Sequence, residues 1–149
     1  MVNVIAPIFT EKNGKAIRQT IFFPFAIAAN NCLGTVLRPV GKTPLLESKS
    51  YGGVSALPNA AVWNEEKQEI NFICANISGE LQSLELDLRS FGKAALVEHQ
   101  VLRGELSASN TLENPDRVRP EFLDCAGDET EKPELILEPK SFHFFKFSC

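Results

Sequence analysis

Leu81-Gln82-Ser83-Leu84-Glu85-Leu86-Asp87-Leu88 reads as a strand, because Leu84, Leu86 and Leu88 alternate with Glu85 and Asp87. A period of two puts the leucines on one face and the carboxylates on the other, as in a half-buried strand of an antiparallel sheet. The pattern extends in both directions. Upstream, Asn59 to Trp63 and Glu69 to Ile77 flank the polar cluster Asn64-Glu65-Glu66-Lys67-Gln68, a hairpin signature. Downstream, Phe91-Gly92-Lys93 marks a turn, and Ala94 to Leu102 a further strand through Val97 and Val101. Leu135-Ile136-Leu137 and Ser141 to Phe147 predict two closing strands around the Pro139-Lys140 turn. In the second of these, Phe142, Phe144 and Phe145 beside His143 and Lys146 break the alternation.

Thr35 to Val40 predicts the first strand of this region, and Gly41 to Pro58 a loop carrying Tyr51-Gly52-Gly53. Gly104 to Asp128 is polar and turn-rich, a long connection with room for one short strand. Many short strands, frequent turns and no helical periodicity predict a mainly β fold, an antiparallel sandwich.

The first thirty residues differ. Val2 to Phe9 is an almost unbroken apolar run bounded by Lys12-Asn13-Gly14, which predicts a strand buried on both faces. Ala16 to Asn30 follows with Ile17, Ile21, Phe25 and Ala28 at roughly helical spacing, and Pro24 either kinks such a helix or marks its first turn.

Composition narrows the function. Of 149 residues, 44% are hydrophobic and 23% charged, and a net charge of −4 with interspersed signs argues against a nucleic-acid footprint or a membrane-binding basic patch. Eleven Phe against one Trp and one Tyr points to core filling rather than a sugar-gripping surface. Cys32, Cys74, Cys125 and Cys149 form no C-x-x-C pair, and only His99 and His143 could join them at a metal, so the reading is four free thiols, no metal and no cofactor. No run reaches the ~18 apolar residues of a membrane span. Met1 to Phe9 lacks the parts of a signal peptide, which leaves the compartment of any longer parent open.

A set of ordered blocks then carries a specific resemblance. Asn3-Val4-Ile5-Ala6-Pro7-Ile8 and Arg18-Gln19-Thr20-Ile21-Phe22-Phe23-Pro24-Phe25 resemble the final strand and helix of the barrel in family-51 α-L-arabinofuranosidases. Ala60 to Lys67, Leu86 to Gly92, Val97 to Leu102, Asn110-Thr111 and Glu113 to Pro120 continue that similarity in order. The resemblance implies a jelly-roll sandwich over residues 31–149, preceded by a strand-helix remnant of a (β/α)₈ barrel over residues 1–30. It also implies a parent enzyme that cleaves terminal α-L-arabinofuranosyl residues of arabinan- or arabinoxylan-type glycans. The family's retaining mechanism uses two glutamates on earlier barrel strands, which would lie upstream of Met1. The chain alone is then a non-catalytic accessory domain with no catalytic residue. Its partners are the parent barrel and a second copy of the protein, and sugar is reached through the parent. The alternative is a carbohydrate-binding module.

Four local features invite a catalytic or binding reading. Asn64-Glu65 has the residue types of a barrel acid/base, but a retaining pair needs a buried acid and a partner carboxylate about 5–5.5 Å away, which a solvated hairpin tip does not supply. Glu98 and His99 are strand neighbours and point to opposite faces. Trp63 and Tyr51 could stack on a sugar but are more economically used in a core or between domains. Asn76-Ile77-Ser78 matches the glycosylation acceptor pattern, which matters only in a secretory pathway.

Overall fold

The computed structural model describes residues 6–125 and 127–149. The N-terminal part is a hairpin of β1 (Ile8–Thr10) and β2 (Ala16–Arg18), followed by helix α1 (Phe22–Asn31). Next come β3 (Thr35–Leu37), β4 (Leu45–Ser48), β5 (Gly52–Ser55), β6 (Asn59–Asn64) and β7 (Glu69–Asn76). The second half holds β8 (Gln82–Glu85), a 3₁₀ turn at Arg89–Phe91, and β9 (Ala94–Leu102). It ends with β10 (Glu121–Leu123), β11 (Glu129–Thr130), β12 (Glu134–Leu137) and β13 (Ser141–Ser148).

These strands form an antiparallel sandwich of jelly-roll type. The large sheet has the order β10-β9-β13-β7-β6-β3, with β11 also on β9, and β12 pairs with β8 in a second, smaller sheet. The chain leaves the large sheet after β7 for β8, returns for β9, and crosses again between β12 and β13. The core cluster draws on both sheets. Ala61, Ile70, Phe72, Ala94, Phe145 and Phe147 come from the large one, and Leu135 and Leu137 from the small one. Leu84 and Leu86 pack against this cluster from the alternating stretch Leu81 to Leu88, while Glu85 and Asp87 are exposed.

Register explains why β13 broke the alternation. His143, Phe145 and Phe147 lie opposite Cys74, Phe72 and Ile70 on the core face, and Phe144 lies opposite Ile73 on the other face. Phe144 is as fully buried as Phe145. With Phe144 buried and Phe142 part-buried on its outer face, β13 has no cleanly polar side to alternate with. The β6–β7 turn uses Asn64 Oδ1 to accept the Lys67 N–H at 3.1 Å, with Gln68 at φ 53°. Gly34, just ahead of β3, has φ 142°, and a Cβ there would sit 2.2 Å from the Trp63 carbonyl oxygen. Only glycine lets the chain come so close to β6 before pairing with it.

Three expectations need correction. Ala16 does not begin a helix: Ala16–Arg18 is a strand that pairs back on Ile8–Thr10, because Lys12-Asn13-Gly14 closes a tight turn, with Asn13 at φ 59° and Gly14 N–H donating to Glu11 C=O. Within this hairpin Ile17 is buried while Ile8 is exposed, so the segment is not buried on both faces over its described part; residues 1–5 of the expected strand lie outside the described residues. The helix starts at Phe22 and places Pro24 in its first turn, where a missing N–H costs no intrahelical bond. Its buried residues are Phe23 and Ile27, four apart, rather than Phe25. Last, Gly41 to Pro58 is not all loop: β4 and β5 form a hairpin there, with Gly52 at φ 68° in the reversal.

Candidate functional site

Asn110 is the polar residue that joins the long connection to the N-terminal hairpin. It is buried, and its Nδ2 donates to the carbonyls of Arg18 and Val118 at 3.0 Å each, while its Oδ1 accepts the Val118 N–H at 2.8 Å. One side chain thereby closes the loop on itself and holds β2. Around it, Arg18 pairs with Asp116 at 3.4 Å, an exposed contact worth little alone. The Arg18 guanidinium also lies 5.5 Å and 6.0 Å from the rings of Phe23 and Phe22. A cleft of about 410 Å³ runs alongside, lined by Thr20, Leu102, Arg103, Leu106, Val118 and Phe142 among others. Replacing Asn110 by alanine orphans two carbonyls and an N–H, and should cost about 2–3 kcal/mol. Faster amide exchange at β1–β2 than in β6–β7 would register that loss; uniform exchange would not fit a clasp.

The other candidates resolve into structure. Asn64 and Glu65 sit at the β6–β7 turn, where Gln68 Nε2 donates to the Glu65 carbonyl at 2.7 Å and Glu65 faces solvent. Glu98 and His99 point apart: Glu98 pairs with Lys146 at 2.9 Å, while His99 meets His143 on the core side. Trp63 is half-buried, 5.0 Å from Phe91, and packs against the core; Tyr51 is exposed at the β4–β5 reversal. Asn76 has no exposed surface, and its Nδ2 donates to two carbonyls, so in the folded domain it cannot accept a glycan. All four cysteines are free, and burial pushes the Cys74 thiol up to about 11. Among the described residues no group of three His, Cys, Asp or Glu is placed to hold a metal, and no helix is long and apolar enough to cross a membrane.

The family model for the α-L-arabinofuranosidase C-terminal domain matches residues 1–141. The chain belongs to this family. Intracellular exo-α-(1→5)-L-arabinofuranosidases from Acetivibrio thermocellus and Streptomyces lividans are 39% and 34% identical over 127 and 144 residues, 83% and 96% of this chain. Those matches cover 25% and 22% of the relatives, so the chain spans about a quarter of their length. A family 51 α-L-arabinofuranosidase from Bifidobacterium longum superposes with a TM-score of 0.86 at 33% identity, over 99% of this chain and 29% of that one. The family 51 enzyme from Xanthomonas axonopodis pv. citri, at 22% identity and a TM-score of 0.77 over 99% of this chain and 30% of that one, shares the fold. The match thus aligns the chain with the C-terminal domain of larger α-L-arabinofuranosidases.

Within this arabinofuranosidase domain, two polar features escaped the sequence reading. Asn110 stood only as part of a block shared with the family, and nothing local marked it as buried. The contact between His99 and His143 joins residues 44 apart in sequence, and only the β9–β13 register brings them together.

Proposed function

We propose that this chain is the accessory domain of an α-L-arabinofuranosidase, with the catalytic glutamates on barrel strands other than those in residues 1–149, and that its own role is to pack against that barrel and to support contacts between copies. In this reading residues 1–30 belong to the barrel's last strand and helix and residues 31–149 to the sandwich. The parent removes terminal α-L-arabinofuranosyl groups from arabinan- or arabinoxylan-type glycans by a retaining two-glutamate route. The observation that carries it is the N-terminal segment: it is clasped to the sandwich through Asn110. In its helix and just after it the chain exposes Phe25, Leu33, Val36 and Val40, at 64%, 61%, 76% and 92%. Apolar side chains concentrated in one stretch of a soluble domain mark a surface meant to be covered. The names of the relatives, all arabinofuranosidases, supply the substrate class.

A carbohydrate-binding role has less support. The exposed aromatics Phe25, Tyr51 and Phe122 lie on three separate elements, α1, the β4–β5 reversal and β10, and do not form a row along a strand. Titration calorimetry with arabinan and arabinoxylan oligosaccharides should give no heat, and light scattering should give a dimer or larger assembly. Saturable heat would favour the binding module, and a monomer across a wide concentration range would remove the role in contacts between copies.

A further inference from the structure

The sandwich holds a buried imidazole pair that the accessory role does not use. His143, on the core face of β13, is 1% exposed, and its Nδ1 lies 3.0 Å from Nε2 of His99 on β9. Its Nε2 lies 2.7 Å from Ser141 Oγ, and that hydroxyl donates to the Glu138 carbonyl at 2.5 Å. A hydroxyl has one proton. With that proton on Glu138, Ser141 must accept from His143 Nε2–H, and His143 Nδ1 is left bare to accept from His99 Nε2–H. Three hydrogen bonds therefore run in one direction, from β9 through β13 to the corner between β12 and β13.

The surroundings limit what can charge this chain. The Phe145 ring stacks on His99 at 4.3 Å and on His143 at 5.6 Å between centroids. From β7, Cys74 faces His143 as a neutral thiol. Beyond β10, Cys125 meets the backbone of His99, with its thiol also pushed up by burial. Glu138 is the carboxylate that acts on the pair, through His99, and Arg103 at the end of β9 opposes it at His143. Arg103 is itself held between Glu138 and, at 2.7 Å, Glu121 on β10. The Glu98–Lys146 pair lies on the opposite face of the same strands.

We propose that Ser141, His143 and His99 form an acid-sensitive latch: a proton on His143 Nδ1 turns the acceptor into a donor and places a cation in the core, so that His99 must surrender its own Nε2–H or meet it N–H to N–H, and the β12–β13 corner is released from β9. Burial, with repulsion from His99 and Arg103, holds the His143 imidazole down to about 4, so the latch is closed at neutral pH. The opened state takes up the proton at the ordinary value of about 6.5. Opening is therefore favoured as pH falls from about 6.5 to about 4, roughly tenfold per pH unit for one proton, and levels off below. The corner residues Lys140, Ser141 and Phe142 line the cleft that Thr20 of the N-terminal segment also borders, so acid loosens the sandwich where that segment docks.

Amide exchange of the full chain between pH 7 and pH 4.5, expressed as protection relative to an unstructured peptide, tests the latch, with ring-proton NMR titration of both histidines alongside. Protection at Ser141, His143 and Val101 should fall about tenfold per pH unit below about 6.5 while the β6–β7 hairpin keeps its own. His143→Phe should abolish the dependence. Should that variant not fold, the wild-type titration decides alone: a His143 ring titrating near 4, with its corner amides opening in step, supports the latch. Both rings titrating near 6.5 with corner protection unchanged would overturn it, as would a folded His143→Phe protein with the same pH dependence.

Discussion

Asn76→Ala is expected to destabilise the domain by about 3–5 kcal/mol, more than Asn110→Ala or Ser78→Ala. Asn76 ends β7 with no exposed surface. Its Nδ2 donates to the Leu137 carbonyl in β12 at 3.0 Å and to the Glu80 carbonyl at 2.8 Å. Its Oδ1 accepts from the Ser78 N–H at 3.0 Å and the Ser78 hydroxyl at 2.7 Å. One amide thus ties the large sheet to the small one and shapes the turn that carries the chain between them. Alanine removes the side-chain partner of the Leu137 carbonyl and of the Ser78 N–H, while the Glu80 carbonyl can still accept from the Ser78 hydroxyl at 3.0 Å; each lost partner costs about 1–3 kcal/mol, with incomplete additivity because the groups share one site. Aspartate is no remedy: it could accept from Ser78 but could not donate to Leu137 and Glu80, and it would bury a charge. The midpoint of urea unfolding should fall by roughly 2 M, given slopes of about 1–3 kcal/mol/M for small domains. Ser78→Ala should lose about 1 kcal/mol. If Asn76→Ala cost no more than Ser78→Ala, the inter-sheet tie would carry no weight.

Phe145→Ala should cost a similar amount, about 3–5 kcal/mol, by a different route. Phe145 is 1% exposed and sits between the sheets. Its ring lies 6.3 Å from that of Phe72 and stacks on His99 and His143. Removing it takes away apolar area and leaves a cavity among neighbours anchored on three adjacent strands, which cannot collapse far to fill it. Against a usual domain stability of about 5–15 kcal/mol, the loss is a large fraction. Phe142→Ala, on a half-exposed ring lining the cleft, should cost visibly less in the same denaturation series. Equal costs would contradict the placement of the core on the Phe145 face.

The period-two segments were the legible part of the fold. Glu69 to Ile77 and Ala94 to Leu102 match β7 and β9 to within a residue, because one face of each meets a core and alternation records that directly. The failure of alternation at Phe142 to Phe145 reflects apolar rings on both faces of β13, Phe142 and Phe144 on the outer one and Phe145 on the core one. The β4–β5 hairpin was hidden by four-residue strands and two adjacent glycines, too little pattern to separate from a loop. Ile17 was drawn into a helix because Ile17, Ile21, Phe25 and Ala28 happen to share helical spacing; the turn chemistry of Asn13-Gly14 outweighed that spacing. The family blocks located the domain without saying which side chains hold it. Nothing local marks Asn76 or Asn110 as buried, and their burial follows from contacts 61 and 92 positions away. No local pattern encodes such contacts, nor the meeting of His99 with His143.

The most direct test of a non-catalytic role is hydrolysis of p-nitrophenyl α-L-arabinofuranoside by this chain, with an intact family 51 enzyme as control. No release of nitrophenolate above background is expected, because Glu65, the one glutamate in an Asn-Glu pair, sits with Glu66 on an exposed turn after β6 and lacks the burial that a retaining acid needs. Turnover that persisted through purification and was lost in Glu65→Gln would contradict it.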